Sequence, residues 1–263
     1  MIEKYGICLL GIIPVRKQPD HASELVNQLI FGDSFAIIEE QNDWARIAGI
    51  FDGYEGWITQ NSFEEFDQFV FTKLDEAIFW IVCDPIAKIK NVNTSETFYI
   101  PGGSTIFGYK EDDLTFNIVN NWYQFMEKPK LNNVRGAGNL GKMAYRFINS
   151  PYLWGGRTAL GIDCSGFTQI VYKLLNIVLP RDAEEQVKKG HTINFLAETK
   201  EGDLAFFDNE EGEIVHVGIL LSNSEIIHSS GRVRIDAIDQ TGIFDRSKKK
   251  YSHRLRIIKR III

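Results

Sequence analysis

The sequence predicts an α+β protein in which a helix bearing a cysteine packs on an antiparallel sheet, preceded by one or two small β-barrels. Three observations predict it. Directly after Cys164, apolar side chains recur at intervals of three and four residues, the period of a helix with one buried face. Residues 213–228 read as two alternating strands joined by a Ser-Asn-Ser turn. The first half of the chain instead consists of short apolar runs broken by turn residues, the pattern of small barrels.

In chain order, Ile7–Val15 is long enough for the apolar part of a signal peptide. Glu3 offsets Lys4, however, and no small-residue cleavage site follows, so the stretch reads as a first barrel strand. Ser34–Glu40 alternates and Trp44–Ile50 is apolar-rich. Asp52-Gly53 is a hairpin dipeptide leading into Tyr54–Ile58. These runs define a first barrel over residues 1–66. A second, over 67–130, is read from Phe79–Val82, Ala87–Lys90, Thr97–Ile100, the turn Pro101-Gly102-Gly103 and the aromatics Trp122, Tyr123 and Phe125. Glu127–Gly141, with its Pro, Asn and Gly residues, reads as a linker into a third domain over 131–263. At the far end, Leu255–Ile263 is interrupted by Arg256, Lys259 and Arg260. It is too charged to span a bilayer and reads as a closing strand. Lys248–Lys250 reads as a solvated turn.

The chemistry concentrates in the third domain. Phe167, Ile170, Val171, Leu174, Leu175 and Val178 form the helical stripe, so Cys164 sits at the helix N-terminus. Unpaired N–H groups and the helix dipole there favour a thiolate, and a lowered thiol pKa is expected. Glycines 155, 156, 161 and 166 are expected to leave room for a substrate backbone. In Glu213–Leu221, Val215, Val217, Ile219 and Leu221 share one strand face, while His216 and Gly218 share the other. The next strand, Glu225–His228, brings His228 within reach of His216 across the hairpin. A cysteine nucleophile, a histidine base and a second histidine to orient it make an acyl-transfer set. By residue type the three also match zinc ligands. The chain has no Cys-x-x-Cys or His-x-x-x-His pair and no evident fourth ligand.

Six motifs occur in order: Tyr-Leu-Trp-Gly-Gly at 152–156, Asp-Cys-Ser-Gly-Phe at 163–167, Leu-Pro-Arg-Asp at 179–182, Gly-Asp-Leu-Ala-Phe-Phe at 202–207, His-Val-Gly-Ile at 216–219 and Ile-His-Ser-Ser at 227–230. Together they resemble the NlpC-type papain-like cysteine peptidases that cut bacterial cell-wall peptides. The resemblance runs from near residue 136 to the end. It implies Cys164 as nucleophile, His216 as general base and His228 as orienting residue, with no metal or organic cofactor. The first barrel resembles a bacterial SH3 domain. The combination resembles the γ-D-glutamyl-L-diamino-acid endopeptidases (dipeptidyl-peptidase VI type), which act on released murein stem peptides, L-Ala-γ-D-Glu-diamino acid, with a free amino terminus. On that resemblance Glu24 and Tyr54 contribute to substrate binding from the barrel, and Tyr152, Asp163 and Ser165 from the catalytic domain. The diamino acid is meso-diaminopimelate or lysine.

Composition agrees with a soluble multi-domain protein. At 263 residues and 44% hydrophobic content the chain can bury more than one core. A net charge of −6 argues against a nucleic-acid or anionic-membrane binder. Three cysteines, at 8, 83 and 164, give no disulfide framework. That fits a reducing compartment, so cytoplasmic peptide recycling is favoured over exported wall hydrolysis. The rival readings are an exported hydrolase of intact peptidoglycan, a non-catalytic wall-binding module and an amide-forming acyltransferase.

Overall fold

A computed structural model describes residues 4–136 and 138–261. Glu3, Ala137 of the expected linker and the last two residues of the expected closing strand, Ile262 and Ile263, lie outside the described residues. The chain divides into two compact units, one of Met1–Val134 with Gly155–Ala159, the other of Arg135–Trp154 with Leu160–Ile263.

In the first unit, one antiparallel sheet runs Leu25–Ile30, Ile12–Arg16, Glu55–Thr59, Trp44–Gly49, Ser34–Gln41, Lys4–Ile7, Glu64–Asp67. Its inner side chains, among them Ile13, Val15, Phe35, Ile47 and Ile58, form one core. The hairpin at Asp52-Gly53 closes through Gly49 N–H to Tyr54 O (3.0 Å) and Tyr54 N–H to the Asp52 carboxylate (3.0 Å). Gly53 takes the left-handed conformation at φ +72°. The single strand expected over Ile7–Val15 is two strands. A side chain at Gly11 would meet the Tyr99 carbonyl at 2.6 Å, and Cys8 instead pairs with Gly32 and Asp33.

Residues beyond 67 add a four-stranded sheet (Thr97–Pro101, Ile86–Asn91, Asn121–Phe125, Thr115–Ile118) and a three-stranded one (Thr105–Phe107, Phe79–Val82, Leu131–Asn132). The last of these strands lies in the stretch expected to be linker. A helix not expected from the sequence, Gln68–Asp75, is capped by Asp67, whose carboxylate accepts from Val70 N–H at 3.0 Å. It packs Val70, Phe71 and Leu74 on a core shared by Tyr5, Ile7, Phe31, Ile89, Phe116 and Tyr123. The Gly155–Ala159 segment also belongs to this unit. A side chain at Gly155 would meet the Leu25 carbonyl at 2.5 Å, so this glycine serves close packing rather than substrate access. Arg157 is fully buried, donates to Gln28 O (2.7 Å) and pairs with the buried Asp33 at 3.1 Å.

The second unit is built on a sheet ordered His191–Ile193, Lys250–Arg260, Leu204–Asp208, Ile214–Leu220, Glu225–Ser230, Arg232–Ile238, Gly242–Asp245. Gly242–Asp245 also pairs with Lys250–Arg260, which closes six of these strands on themselves. Against them lies the helix Cys164–Lys173. All ten of its residues are buried, not one face alone. Two of its polar side chains bond to the segment that follows: Thr168 Oγ1 donates to Gln186 (2.7 Å) and Gln169 Nε2 donates to Leu179 O (3.1 Å). The helix ends before Val178, which is 56% exposed. Among the described residues no helix is long and apolar enough to cross a membrane.

Replacing Asp33 with alanine would leave Arg157 buried without its counter-charge. The expected cost is about 3–5 kcal/mol, measured by urea unfolding. A loss below about 1 kcal/mol, the worth of a solvated ion pair, would contradict the buried arrangement.

Candidate active site

Cys164 is the first residue of its helix, and Asp163 is the N-cap, its carboxylate accepting from Gly166 N–H at 2.7 Å. Cys164 is buried, 7% exposed. Burial pushes its thiol up to about 11, and the Asp163 charge pushes the same way. The Val217 and Ser165 backbone N–H groups and Arg181 act in the opposite direction but are outweighed. The helix N-terminus therefore does not by itself produce the thiolate expected from the sequence, because desolvation is the larger effect.

His216 and His228 come together as expected. His216 Nε2 lies 2.8 Å from His228 Nδ1, both rings buried. The register explains how. His228 is opposite Gly218 on the neighbouring strand, and a side chain at Gly218 would meet His228 Cβ at 2.8 Å. The bare glycine lets the His228 ring lean across to His216. On its other edge His228 Nε2 is 3.0 Å from Asp236 Oδ2. Burial works against the Asp236 charge, but hydrogen bonds from His228 and from Arg234 (2.7 Å) hold its carboxyl below the usual range.

An ionised carboxylate only accepts hydrogen bonds, which fixes the tautomers. His228 carries its proton on Nε2, toward Asp236. Its bare Nδ1 accepts from His216 Nε2–H, and this leaves the lone pair of His216 on Nδ1. A third imidazole, His253, stacks on His216 with ring centres 4.1 Å apart. Burial, then the neighbouring His228 and His253, push His216 well below its ordinary value, and burial takes His253 to about 4. Ring nitrogens of the three histidines lie within 4.8 Å of one another, close enough for a shared divalent ion. The His216–His228 hydrogen bond already uses one nitrogen of each, and His253 presents its ring face to His216.

The remaining expected residues fall in different places. Ser165 and Asp163 are buried beside the thiol, in a cluster organised by Arg181. Arg181 reaches both Asp163 oxygens (2.5 and 3.1 Å) and donates to Ser165 Oγ (2.9 Å). The Asp163 charge is thus matched within the protein. Tyr152 is 37% exposed, and its amide donates to Gly231 O at 3.0 Å. Burial, then the Cys164 and Asp163 charges, raise its hydroxyl to about 12. Glu24 and Tyr54 lie in the other unit, Glu24 exposed and paired with Lys17 at 3.1 Å, Tyr54 half-buried at its hairpin.

Asp236, Arg181 and His253 were not singled out from the sequence. Asp236 had a signal: around a turn at Gly231, residues 232–238 fold back on 225–230, which brings an acid beside His228. His253 had none, because its strand reaches the site through pairings with 204–208 and 242–245.

Residues 149–252 match the NlpC/P60 family, and residues 15–63 match the bacterial dipeptidyl-peptidase SH3 domain. A γ-D-glutamyl-L-lysine dipeptidyl-peptidase of Bacillus cereus is 27% identical over 239 residues, covering 80% of this chain and 68% of that one. Its namesake from Bacillus subtilis is 26% identical, covering 86% and 75%. Dipeptidyl-peptidase 6 of Lysinibacillus sphaericus is 25% identical, covering 85% and 88%. The crystal structure of an NlpC/P60 family protein from Bacillus cereus superposes with a TM-score of 0.82 at 18% identity, covering 97% of this chain and 99% of that one. That likeness shows the shared fold. Cys164, His216, His228 and Asp236 all fall inside the NlpC/P60 span, and the chain carries an NlpC/P60 cysteine-peptidase domain preceded in sequence by a bacterial dipeptidyl-peptidase SH3 domain.

Proposed function

We propose that this peptidase hydrolyses the γ-D-Glu–diamino acid bond of murein stem peptides with a free N-terminal L-Ala, in cytoplasmic recycling of wall peptides. The observation that carries the reading is the buried row His216–His228–Asp236, with its 2.8 and 3.0 Å contacts, beside a cysteine at a helix start whose sulfur takes a backbone hydrogen bond from Val217, the residue after His216. The names of the relatives, which act on γ-D-glutamyl-L-lysine as dipeptidyl-peptidases, supply the bond and the requirement for a nearby amino terminus.

The chemistry follows from the proton positions. Cys164 Sγ adds to the γ-carbonyl carbon of D-Glu as its proton passes to His216 Nδ1. The imidazolium so formed is stabilised through His228 by the Asp236 charge. The oxyanion faces the Cys164 backbone N–H at the helix start, with the Tyr152 hydroxyl as a further donor. His216 returns the proton to the diamino acid's nitrogen, the C–N bond breaks, and L-Ala-γ-D-Glu remains as a thioester on Cys164. Water gives a proton to His216 and its oxygen to the acyl carbon. The dipeptide leaves as the sulfur is reprotonated.

Three outcomes are expected. L-Ala-γ-D-Glu-diamino acid is cleaved with release of L-Ala-D-Glu, while its N-acetylated form is not, as mass spectrometry of the digests would read. Equal cleavage of both would contradict the free-amine requirement. Asp236→Asn, which replaces the carboxylate with an amide that can also donate and so unsettles the His228 tautomer, is expected to lower kcat about 100-fold or more without loss of folding. Unchanged kcat would remove Asp236 from the mechanism. The resting pair is thiol and neutral imidazole, because burial raises Cys164 and lowers His216. Alkylation of Cys164 by iodoacetamide should therefore keep accelerating as pH rises past the ordinary thiol value of about 8.5. A plateau reached below about pH 7 would mean a preformed thiolate instead.

A further inference from the structure

Behind the histidine pair, within the second unit, lies a cavity of about 330 Å³ lined by His228, Ser230, Arg232, Arg234, Asp236, Asp245 and Lys248, among others. Its size is at the lower end of small-ligand sites, about 300–1,000 Å³. The sheet builds it deliberately. Arg232, Arg234 and Asp236 alternate onto one face of their strand, and the register sets Arg234 opposite His228 and Arg232 opposite Ser230. Gly231 adds no bulk at the tip, where a side chain would meet nothing within 4 Å.

Charge accounting identifies what the cavity accepts. Both acids are already committed. Asp236 accepts from His228 and Arg234, and Asp245 accepts from Ser247 Oγ and from the backbone of Ser247 and Lys248. Arg234 bridges the two, at 2.7 Å to Asp236 and 3.5 Å to Asp245. Two cations remain. The Arg232 guanidinium has no hydrogen-bond or ion-pair partner among the described residues, and the Lys248 ammonium reaches Asp245 only at 4.0 Å. With three cations against two acids, the uncommitted groups are donors, and the matching ligand is an anion small enough to enter. A carboxylate, which a guanidinium grips with two parallel hydrogen bonds, fits best.

We propose that this cavity is a carboxylate-binding site whose occupant sits against Arg234 and His228, and so is felt by the catalytic histidines. Where the carboxylate is that of the peptide substrate, the proposal rests on the function given above. Where it is a free carboxylate, the cavity is an effector site. Either source meets the same residues.

Two measurements test it. The first compares L-Ala-γ-D-Glu-L-Lys with its C-terminal carboxamide, in the intact protein and in the Arg232→Gln/Lys248→Gln double variant. If the substrate supplies the carboxylate, KM for the acid is about tenfold below that for the amide, equivalent to about 1.4 kcal/mol. The double variant raises KM for the acid to that of the amide and leaves kcat on the amide unchanged. The second measurement needs no turnover: acetate is titrated into the Cys164→Ala protein while the imidazole resonances of His216 and His228 are followed by NMR. A saturable shift lost in a protein that also carries the double substitution supports the site even where acid and amide are cleaved alike. Acid and amide alike together with no saturable shift would overturn the proposal, and so would any preference or shift that survives the double substitution. Should the protein cleave neither peptide, the assigned bond is wrong, and the acetate titration still decides the cavity.

Discussion

The catalytic half of this protein depends on one buried carboxylate. Asp236 is the group whose charge sets the direction of the His228 hydrogen bonds, and through His228 the protonation of His216. Without an ionised acid at that end, both imidazoles could flip tautomer, and the outward lone pair of His216 would have no fixed place. Keeping a carboxylate ionised in a buried position is costly unless it is paired. The fold meets that cost with Arg234, itself anchored on Asp245, so that the histidine row ends in an acid–base–acid bridge on adjoining strands.

The same logic recurs next to Cys164. Asp163 is buried one residue before Cys164, where an unpaired charge would hold the thiol up further still. Arg181 neutralises it with two hydrogen bonds, and the same carboxylate caps the helix. The N-cap, the ion pair and the position of Cys164 therefore form a single arrangement. Burial nonetheless dominates at the sulfur. In the proposed mechanism the site stores its reactivity as a neutral thiol–imidazole pair that separates charge only when a substrate carbonyl is present to receive it.

Much of this was legible in the sequence, and the gaps have physical reasons. The hairpin 214–230 was readable because its alternation is strict and its turn is local, so the meeting of His216 and His228 could be anticipated from pattern alone. The start of the cysteine helix was likewise local. Its end was not: the apolar period runs on through Val178, while the chain turns at Asn176 in the left-handed conformation. The apolar stretch Ile7–Val15 read as one strand because the close approach of Tyr99 O to Gly11 is a contact between residues far apart in sequence. Arg181 stood inside a quoted motif, but its role needed the distance to Asp163. His253 is brought in by a strand that pairs with both 204–208 and 242–245, which no local period encodes.

The central claim is that acyl transfer passes through a thioester on Cys164, with His216 as the base. Acid-quenching the protein shortly after mixing with L-Ala-γ-D-Glu-diamino acid, followed by peptide mass mapping, tests it most directly. The account predicts L-Ala-γ-D-Glu attached to the peptide that contains Cys164, with no adduct and no turnover in Cys164→Ala. Hydrolysis that persists in Cys164→Ala, or an adduct on any other residue, would contradict it.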